Sequence, residues 1–265
     1  MGVEKSKATR ICHDCGRAYS GKTKTRWLSL VHFIVWSEKY WGRTFHKWMV
    51  TSVDTDEWMV ILLAMSTGKI KAHGPGAVQV TVQRIVGGAS KFLLVNRAFA
   101  KIGDLEDGSD SAWPTADFQF WYPDENDKVR LFVLVYLLSS CDFLPAISSL
   151  PFKKMWVTAL QSVRTEGVFT QSLFVQENDV WSVRIDECIK LLATMFFFKH
   201  QAAFARGERT AGNILECVHG NVENYVDVIR FIVLSLGSKR TTATCPGLES
   251  LRLQSERASA VMGSW

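Results

Sequence analysis

The sequence predicts an α/β fold in which a central sheet is flanked by helices and followed by a helical carboxyl-terminal part. Residues 50–53 end an apolar run, predict a short buried strand, and lead directly into two acids, Asp54 and Asp56. Residues 77–84 alternate apolar and polar side chains, which is the pattern of a strand with one buried face. Residues 129–140 are strongly apolar and predict a buried helix. Together these segments indicate the α/β class.

The composition is that of a packed globular protein, since 47% of the 265 residues are hydrophobic, 12% aromatic and 22% charged. This length suits one large domain, or a domain with a smaller appendage. The formal charge of +5 permits contact with nucleic acid without requiring it. We therefore expect a folded chain for which nucleic acid is a reasonable partner and a protein partner remains open.

The cysteine content and the apolar runs indicate the cellular compartment of the protein. Six scattered cysteines do not form a disulfide framework in a chain of this size, which favours a reducing, intracellular compartment, nuclear or cytoplasmic. The start of the chain is polar, and the longest apolar runs fall short of the roughly 20 residues that a membrane helix needs. We expect a soluble protein with no membrane partner.

Four regions follow from the pattern along the chain. They are a basic flexible amino terminus (1–26), an α/β core (27–166), a helical extension (167–237) and a disordered tail (238–265). Within the core, residues 58–65 are a strand or a short helix, which periodicity cannot separate. Residues 77–84 and 91–95 form a hairpin around Gly87-Gly88. Further helices are predicted over 96–102, 151–165 and 222–236, a long helix is predicted within 179–206, and residues 103–127 are predicted to be an acidic loop.

The paired acids are the first candidate site. Open α/β sheets bind their ligands at the carboxyl ends of the strands, and Asp54 and Asp56 stand at such an end. Carboxylate oxygens suit Mg²⁺ and Mn²⁺. Asp142 is the best third acid, because it follows the helix over 129–140 and Pro145 ends that helix. The weaker additions are Glu38, Asp117 and Asp127.

Two further segments are weaker candidates for a functional site. Cys12-His13-Asp14-Cys15 is half of a zinc knuckle. A second pair is missing, since Cys217-Val218-His219 has irregular spacing, and an ordinary basic amino terminus is favoured over Zn²⁺ binding. Lys153 and Lys154 lie in the first turn of a predicted helix, where they add to the field that attracts phosphate.

The order of these pieces resembles the PIN-like nuclease superfamily, in particular the flap-endonuclease/XPG internal region and the XRN-type 5′→3′ exoribonucleases. Residues 50–63 look like their strand that carries Asp-x-Asp, and residues 132–150, with Asp142-Phe143-Leu144-Pro145, look like the helix that ends in Asp-Phe-x-Pro. Of the upstream acids of these families only Glu38 is available here, and the glycine-rich helix-two-turn-helix of flap nucleases is absent. The chain therefore resembles a truncated or diverged member.

The resemblance implies a divalent-metal-dependent nuclease that hydrolyses DNA or RNA, or the carboxyl-terminal portion of one. Asp54, Asp56 and Asp142 would be its catalytic metal ligands, with Glu38 as a weaker addition, and Mg²⁺ or Mn²⁺ its cofactor. Lys153 and Lys154 would lie near a substrate phosphate. Clustered carboxylates suit this chemistry because the ions that they hold activate water and stabilise the leaving oxygen.

Two other hypotheses stay open on the sequence. The incomplete acid set and the basic amino terminus also fit an inactive nuclease-like module that binds nucleic acid or a protein partner. In a third reading, Asp54 caps a helix and Asp142 caps a turn in an α/β domain without such a site.

Overall fold

The computed structural model shows a mixed α/β protein and describes residues 10–11, 18–19, 31, 47–51, 54–86, 89–104, 121, 123–139, 144, 151–201, 204, 209–235 and 246–265. The chain divides into two compact units, residues 1–104 with Trp265, and residues 105–264. The division falls inside the region 27–166 that we predicted to be a single core.

The first unit contains a three-stranded sheet in the order β3-β4-β5. Strand β3 (Lys47–Thr51) runs parallel to β4 (Gln79–Val86), which pairs in antiparallel fashion with β5 (Ala89–Leu94). Helix α1 (Asp56–Ser66) connects the two parallel strands, and α2 (Val95–Gly103) follows β5. A separate pair of two-residue strands, β1 (Arg10–Ile11) and β2 (Ala18–Tyr19), is antiparallel.

The ambiguous segment over 58–65 is a helix. Parallel strands need a long crossover connection, and α1 provides it between β3 and β4. Ten of the eleven α1 residues are buried, all but Trp58. A helix satisfies its interior backbone groups within itself, so this apolar segment can be buried without a strand partner.

The predicted hairpin is confirmed, and Asn96 ties it to the following helix. Val86 pairs with Ala89, so two residues separate the strands. The backbone N–H of Val80 donates to Asn96 Oδ1 at 2.8 Å. The Asn96 amide donates in turn to the carbonyl oxygens of Val78 (2.8 Å) and Ala72 (2.7 Å). Each polar atom of this amide is thereby used to fix α2 against β4.

The second unit is mainly helical. Its helices are α3 (Glu125–Ser139), α4 (Phe152–Val163), α5 (Ile185–Lys199), α6 (Ala211–Cys217), α7 (Val222–Ser235) and α8 (Leu248–Ser264), and its sheet is the hairpin of β6 (Phe174–Glu177) and β7 (Val180–Val183). Helix α5 is central, because α4, α7 and α8 all pack against it. Its 11 buried residues lie on every side of the helix.

The long helix that residues 179–206 were predicted to contain is confirmed as α5, which begins at Ile185. Residues 180–183 before it form β7, a strand that was not predicted. Asn178 and Asp179 connect β6 to β7 with φ values of 49° and 63°. Asn and Asp tolerate this left-handed conformation, which two-residue hairpin turns require.

The prediction of a disordered tail over 238–265 is wrong for residues 248–264, which form α8. The helix buries Leu251, Ser255, Ala258 and Met262, at spacings of three and four residues, and packs against α5 and β7. Two of these four are small, so the segment lacked a strong apolar signal. Ser255 Oγ donates to the Leu251 carbonyl at 2.8 Å, which satisfies a buried hydroxyl inside the helix.

Candidate functional site

Acidic residues occupy the start of α1, just beyond the carboxyl end of β3. The strand ends at Thr51, and Asp54 lies in the connection that follows. Asp56 is the first residue of α1 and is 2% exposed, and its neighbour Glu57 is 1% exposed. The Asp-x-Asp pair therefore lies in a strand-to-helix turn and not in the strand itself. Carboxylates are favoured in a first helical turn because the helix dipole is positive there.

Asp54 and Asp56 are in direct contact. The backbone N–H of Asp56 donates to Asp54 Oδ1 at 3.1 Å, which is an Asx turn at the start of the helix. The third hypothesis has Asp54 cap the helix, but the cap residue is Thr55, which makes no side-chain cap bond, and Asp54 accepts from the first helical N–H one residue earlier in the chain. This hydrogen bond and metal ligation are compatible, since a carboxylate offers about four lone-pair sites.

Glu57 is the acid that sequence reasoning missed at this position. It directly follows Asp56, and both side chains are buried. Burying two adjacent acids costs free energy unless they are paired or bind a cation, but the sequence alone did not show that Glu57 is buried. The described parts of the chain nevertheless contain no group of three or more His, Cys, Asp or Glu side chains that could hold a metal ion.

Several predicted site residues lie outside the described residues. They are the third ligand Asp142, the weaker candidates Glu38 and Asp117, and the cysteines Cys12 and Cys15. The ligand set that we predicted is therefore represented in the described structure by Asp54 and Asp56.

Asp127, another candidate acid, forms hydrogen bonds and an ion pair within the second unit. Its Oδ1 lies 2.6 Å from Arg130 Nη1, and Trp121 Nε1 donates to its Oδ2 at 3.3 Å. Burial raises the pKa of Asp127 and the nearby Asp124 raises it further, whereas Arg130 and Trp121 act in the opposite direction. The Arg130 guanidinium lies 3.6 Å from the centre of the Trp181 ring. Asp127 therefore contributes to a structural network around α3.

Lys153 and Lys154 lie in the first turn of α4, as predicted, and both are exposed. Pro151, in an extended conformation, immediately precedes the helix. Beside the lysines, the Phe132 ring packs edge-on against Phe152 at 5.3 Å and against Trp156 at 5.0 Å. The helix dipole is positive at this end, so two cations there are electrostatically unfavourable. An anion bound beside them would offset that unfavourable interaction.

A shallow depression of about 340 Å³ opens in the first unit and is lined by Trp58, Arg84, Lys91, Phe92 and Leu93. Trp58 belongs to the first turn of α1, and the other residues belong to β4 and β5. Arg84 and Lys91 pair directly across the two strands. The predicted two-residue turn fixes this register, so their pairing could have been read from the sequence.

Of the described cysteines, the buried Cys188 does not provide a nucleophile. Burial raises the pKa of the Cys188 thiol to about 12, although a hydrogen bond with Ser255 opposes the shift. Such a thiol stays protonated, and the thiolate is the reactive form. Cys217 is exposed. Among the described helices, none combines the length and apolar character required to cross a membrane.

Comparison of the chain with protein-family models and with curated proteins finds no match.

Proposed function

We propose that this chain is a PIN-like, divalent-metal-dependent nuclease, or a portion of one, that hydrolyses phosphodiester bonds of DNA or RNA. The observation that carries the proposal is the position of Asp54 and Asp56. They follow the carboxyl end of β3 in a parallel β–α–β unit, with Asp56 buried. The carboxyl ends of parallel strands are where α/β proteins bind their ligands.

The residues present fit a hard divalent cation in their chemistry. Carboxylates are the side chains that Mg²⁺ and Mn²⁺ select, and Asp54 and Asp56 would hold the ion together with Asp142. A bound ion would supply an activated water and charge stabilisation at the leaving oxygen. The chain itself positions Asp54 through the hydrogen bond from the Asp56 backbone. Lys153 and Lys154 would attract the substrate phosphates.

A second candidate is a nuclease-like module that binds nucleic acid or a protein partner without cleaving. It is favoured by the hydrogen bond that Asp54 accepts from the Asp56 backbone, which gives this carboxylate a structural purpose at the start of α1. The two candidates differ in whether the chain cleaves nucleic acid when a metal ion is bound.

The test is cleavage of end-labelled single-stranded and branched DNA and RNA in Mg²⁺ or Mn²⁺, compared with EDTA. Removal of residues that only support a ligand costs about 10- to 100-fold, so Asp56→Asn and Asp142→Asn should each cost at least about 100-fold. Asp104→Asn is the matched control, since Asp104 is an exposed acid of the same unit. Metal-independent cleavage, or full activity in both test variants, would contradict the proposal. Binding without cleavage would favour the second candidate.

A further inference from the structure

Strand β5 forms an exposed edge of the sheet in the first unit. Within the described part of the chain its strand partner is β4, since the sheet order is β3-β4-β5. Five of its six residues are exposed, and Leu93 is the exception. Phe92 is 57% exposed and Leu94 is 51% exposed. An exposed edge strand with apolar side chains is a template for pairing with another chain.

The hairpin register shows which backbone groups of β5 point outwards. Val86 pairs with Ala89 across a two-residue connection, so these two residues exchange both of their backbone hydrogen bonds. Bonded and non-bonded pairs then alternate along the antiparallel ladder. Ser90, Phe92 and Leu94 belong to the non-bonded pairs. Their N–H and C=O groups therefore point away from β4.

The surrounding hydrogen bonds agree with this alternation. The Val80 N–H, which lies on the β5 side of β4, donates to Asn96 Oδ1 at 2.8 Å. Leu94 is the cap residue of α2, so its carbonyl oxygen accepts the first bond of that helix. The outward groups that remain are the N–H and C=O of Ser90 and Phe92 and the N–H of Leu94. None of the hydrogen bonds that the described residues form uses these groups.

The outer face of the same sheet carries large apolar side chains near this edge. Met49, Thr81 and Leu94 form one row across the three strands, and Gln83 and Phe92 belong to the next row on the same face. Met49, Phe92 and Leu94 are all more than half exposed. Contiguous exposed apolar surface marks a site of interaction.

We propose that β5 pairs with β5 of a second copy of this chain, antiparallel and about a two-fold axis at Phe92. The Phe92 N–H then donates to the Phe92 carbonyl of the second copy, and the Leu94 N–H donates to its Ser90 carbonyl. Two-fold symmetry supplies the reciprocal bonds. The two three-stranded sheets become one continuous sheet whose apolar outer faces join. The two Phe92 rings lie side by side across the axis, and aromatic pairs of this kind stabilise a sheet.

The charges of β5 favour this register and a second copy as the occupant. Lys91 is the charged residue of the strand. With the axis at Phe92, Lys91 stands opposite Leu93 of the second copy. An axis moved by one residue to Lys91 would set the two lysines directly opposite each other, and opposed like charges destabilise a strand pair. The strand is therefore complementary to itself in the register centred on Phe92.

The test is the oligomeric state of the full chain over a range of concentrations, measured by sedimentation equilibrium. A single strand pair is small beside the roughly 1,200–2,000 Å² of a standard interface, so we expect a reversible monomer–dimer equilibrium. Phe92→Lys sets like charges opposite each other at the axis and should raise the dissociation constant at least about tenfold. Phe92→Thr keeps a residue that favours strands and removes only the ring pair, so its effect should be smaller. Circular dichroism of each variant checks that it is folded.

Phe231→Lys is the matched control, because Phe231 is 73% exposed on α7, outside this sheet. It should leave the dissociation constant unchanged. Equal weakening of the dimer by Phe92→Lys and Phe231→Lys would overturn the assignment to β5. A chain that stays monomeric at about 1 mM, where even weak contacts are populated, would overturn the proposal itself.

Amide hydrogen exchange of the wild type, followed by NMR, distinguishes edge pairing from other dimers and needs no variant. The amides of Phe92 and Leu94 should exchange more slowly as the protein concentration rises, because they enter bonds between the two strands. A dimer that leaves both amides unprotected would show that the outer faces stack on each other, and this would overturn the strand pairing. Failure of cleavage would contradict the nuclease proposal and leave this one standing.

Discussion

Acidic residues open helices in both units, but the two units differ in where the balancing positive charge comes from. In the second unit, Asp127 at the start of α3 pairs with Arg130, and Glu187 at the start of α5 pairs with Lys190, with Nζ and Oε2 2.8 Å apart. Both cations stand three residues further along the same helix. Helix α1 of the first unit contains no Lys, Arg or His.

The difference separates acids that have a cation on their own helix from acids that do not. Three residues after Asp56 and Glu57 stand Met59 and Val60, which are buried apolar residues. Helix α1 therefore supplies no cationic side chain to these two carboxylates, although its dipole favours them in the first turn. A bound metal ion would add positive charge there, which makes the start of α1 a better candidate site than the start of α3 or α5. Buried acid alone is not a sign of function, since Glu187 is buried and structural.

The largest expected effect concerns the α5 pair. Lys190→Met removes the cation from Glu187 and also the bond from Lys190 Nζ to the Val168 carbonyl, which is 3.1 Å long. Breaking a buried pair on one side costs about 3–5 kcal/mol, and we expect a loss of that size in the free energy of unfolding by urea. The double variant Glu187→Gln/Lys190→Met should recover much of it, because no charge is left buried. A single-variant loss under about 1 kcal/mol would show that α5 does not depend on its own cation.

A smaller effect compares two acids whose side chains accept a backbone hydrogen bond at the start of a helix. Asp124 Oδ1 accepts from the Asp127 backbone at 2.7 Å, and Asp54 Oδ1 accepts from the Asp56 backbone at 3.1 Å, although the cap residue of α1 is Thr55. Loss of one such bond costs about 1 kcal/mol, so Asp124→Ala and Asp54→Ala should destabilise the chain similarly in EDTA, as measured by urea unfolding. Added Mn²⁺ should raise the free energy of unfolding of the wild type, and only Asp54→Ala should reduce this increase. Equal responses of the two variants to Mn²⁺ would remove the distinction between the two helix starts.

The smallest effect is a pH dependence at α3. Burial is the main cause that raises the pKa of Asp127 above its ordinary value. An acid with a raised pKa in the folded state stabilises the fold below its ordinary pKa and loses that contribution as pH rises through the folded value. Lowering the pH from 7 to 4 should therefore raise the free energy of unfolding of the wild type relative to that of Asp127→Asn. A shift in favour of the variant would contradict this sign.

The sequence predicted the elements whose pattern is local and strong. The β4–β5 hairpin follows from alternation and turn residues, and helices α2, α3, α4, α5 and α7 follow from their apolar patterns. The type of element over residues 58–65 was ambiguous, because a short apolar run suits a strand or a helix until its role as a crossover connection is known. Helix α8 was missed because Ser255 and Ala258 pack through small size, a property that only their tertiary neighbours reveal.

The candidate site was predictable in part. Asp54 and Asp56 were recognised because two acids follow an apolar strand, and Lys153 and Lys154 were placed correctly in a first helical turn. Glu57 was overlooked because burial is not visible in a residue type. The depression at Arg84 and Lys91 combines residues of three elements, so its lining depends on how α1 packs over the sheet.

The most direct test of the central claim is Mn²⁺ binding by isothermal titration calorimetry, without nucleic acid. The account predicts that wild type binds Mn²⁺ and that Asp56→Asn weakens this binding by at least about tenfold. It predicts that Asp127→Asn leaves the affinity unchanged, because Asp127 is already paired with Arg130. Circular dichroism of each variant checks that it is folded. Equal Mn²⁺ affinity in wild type and Asp56→Asn would contradict the assignment of a metal site to the start of α1.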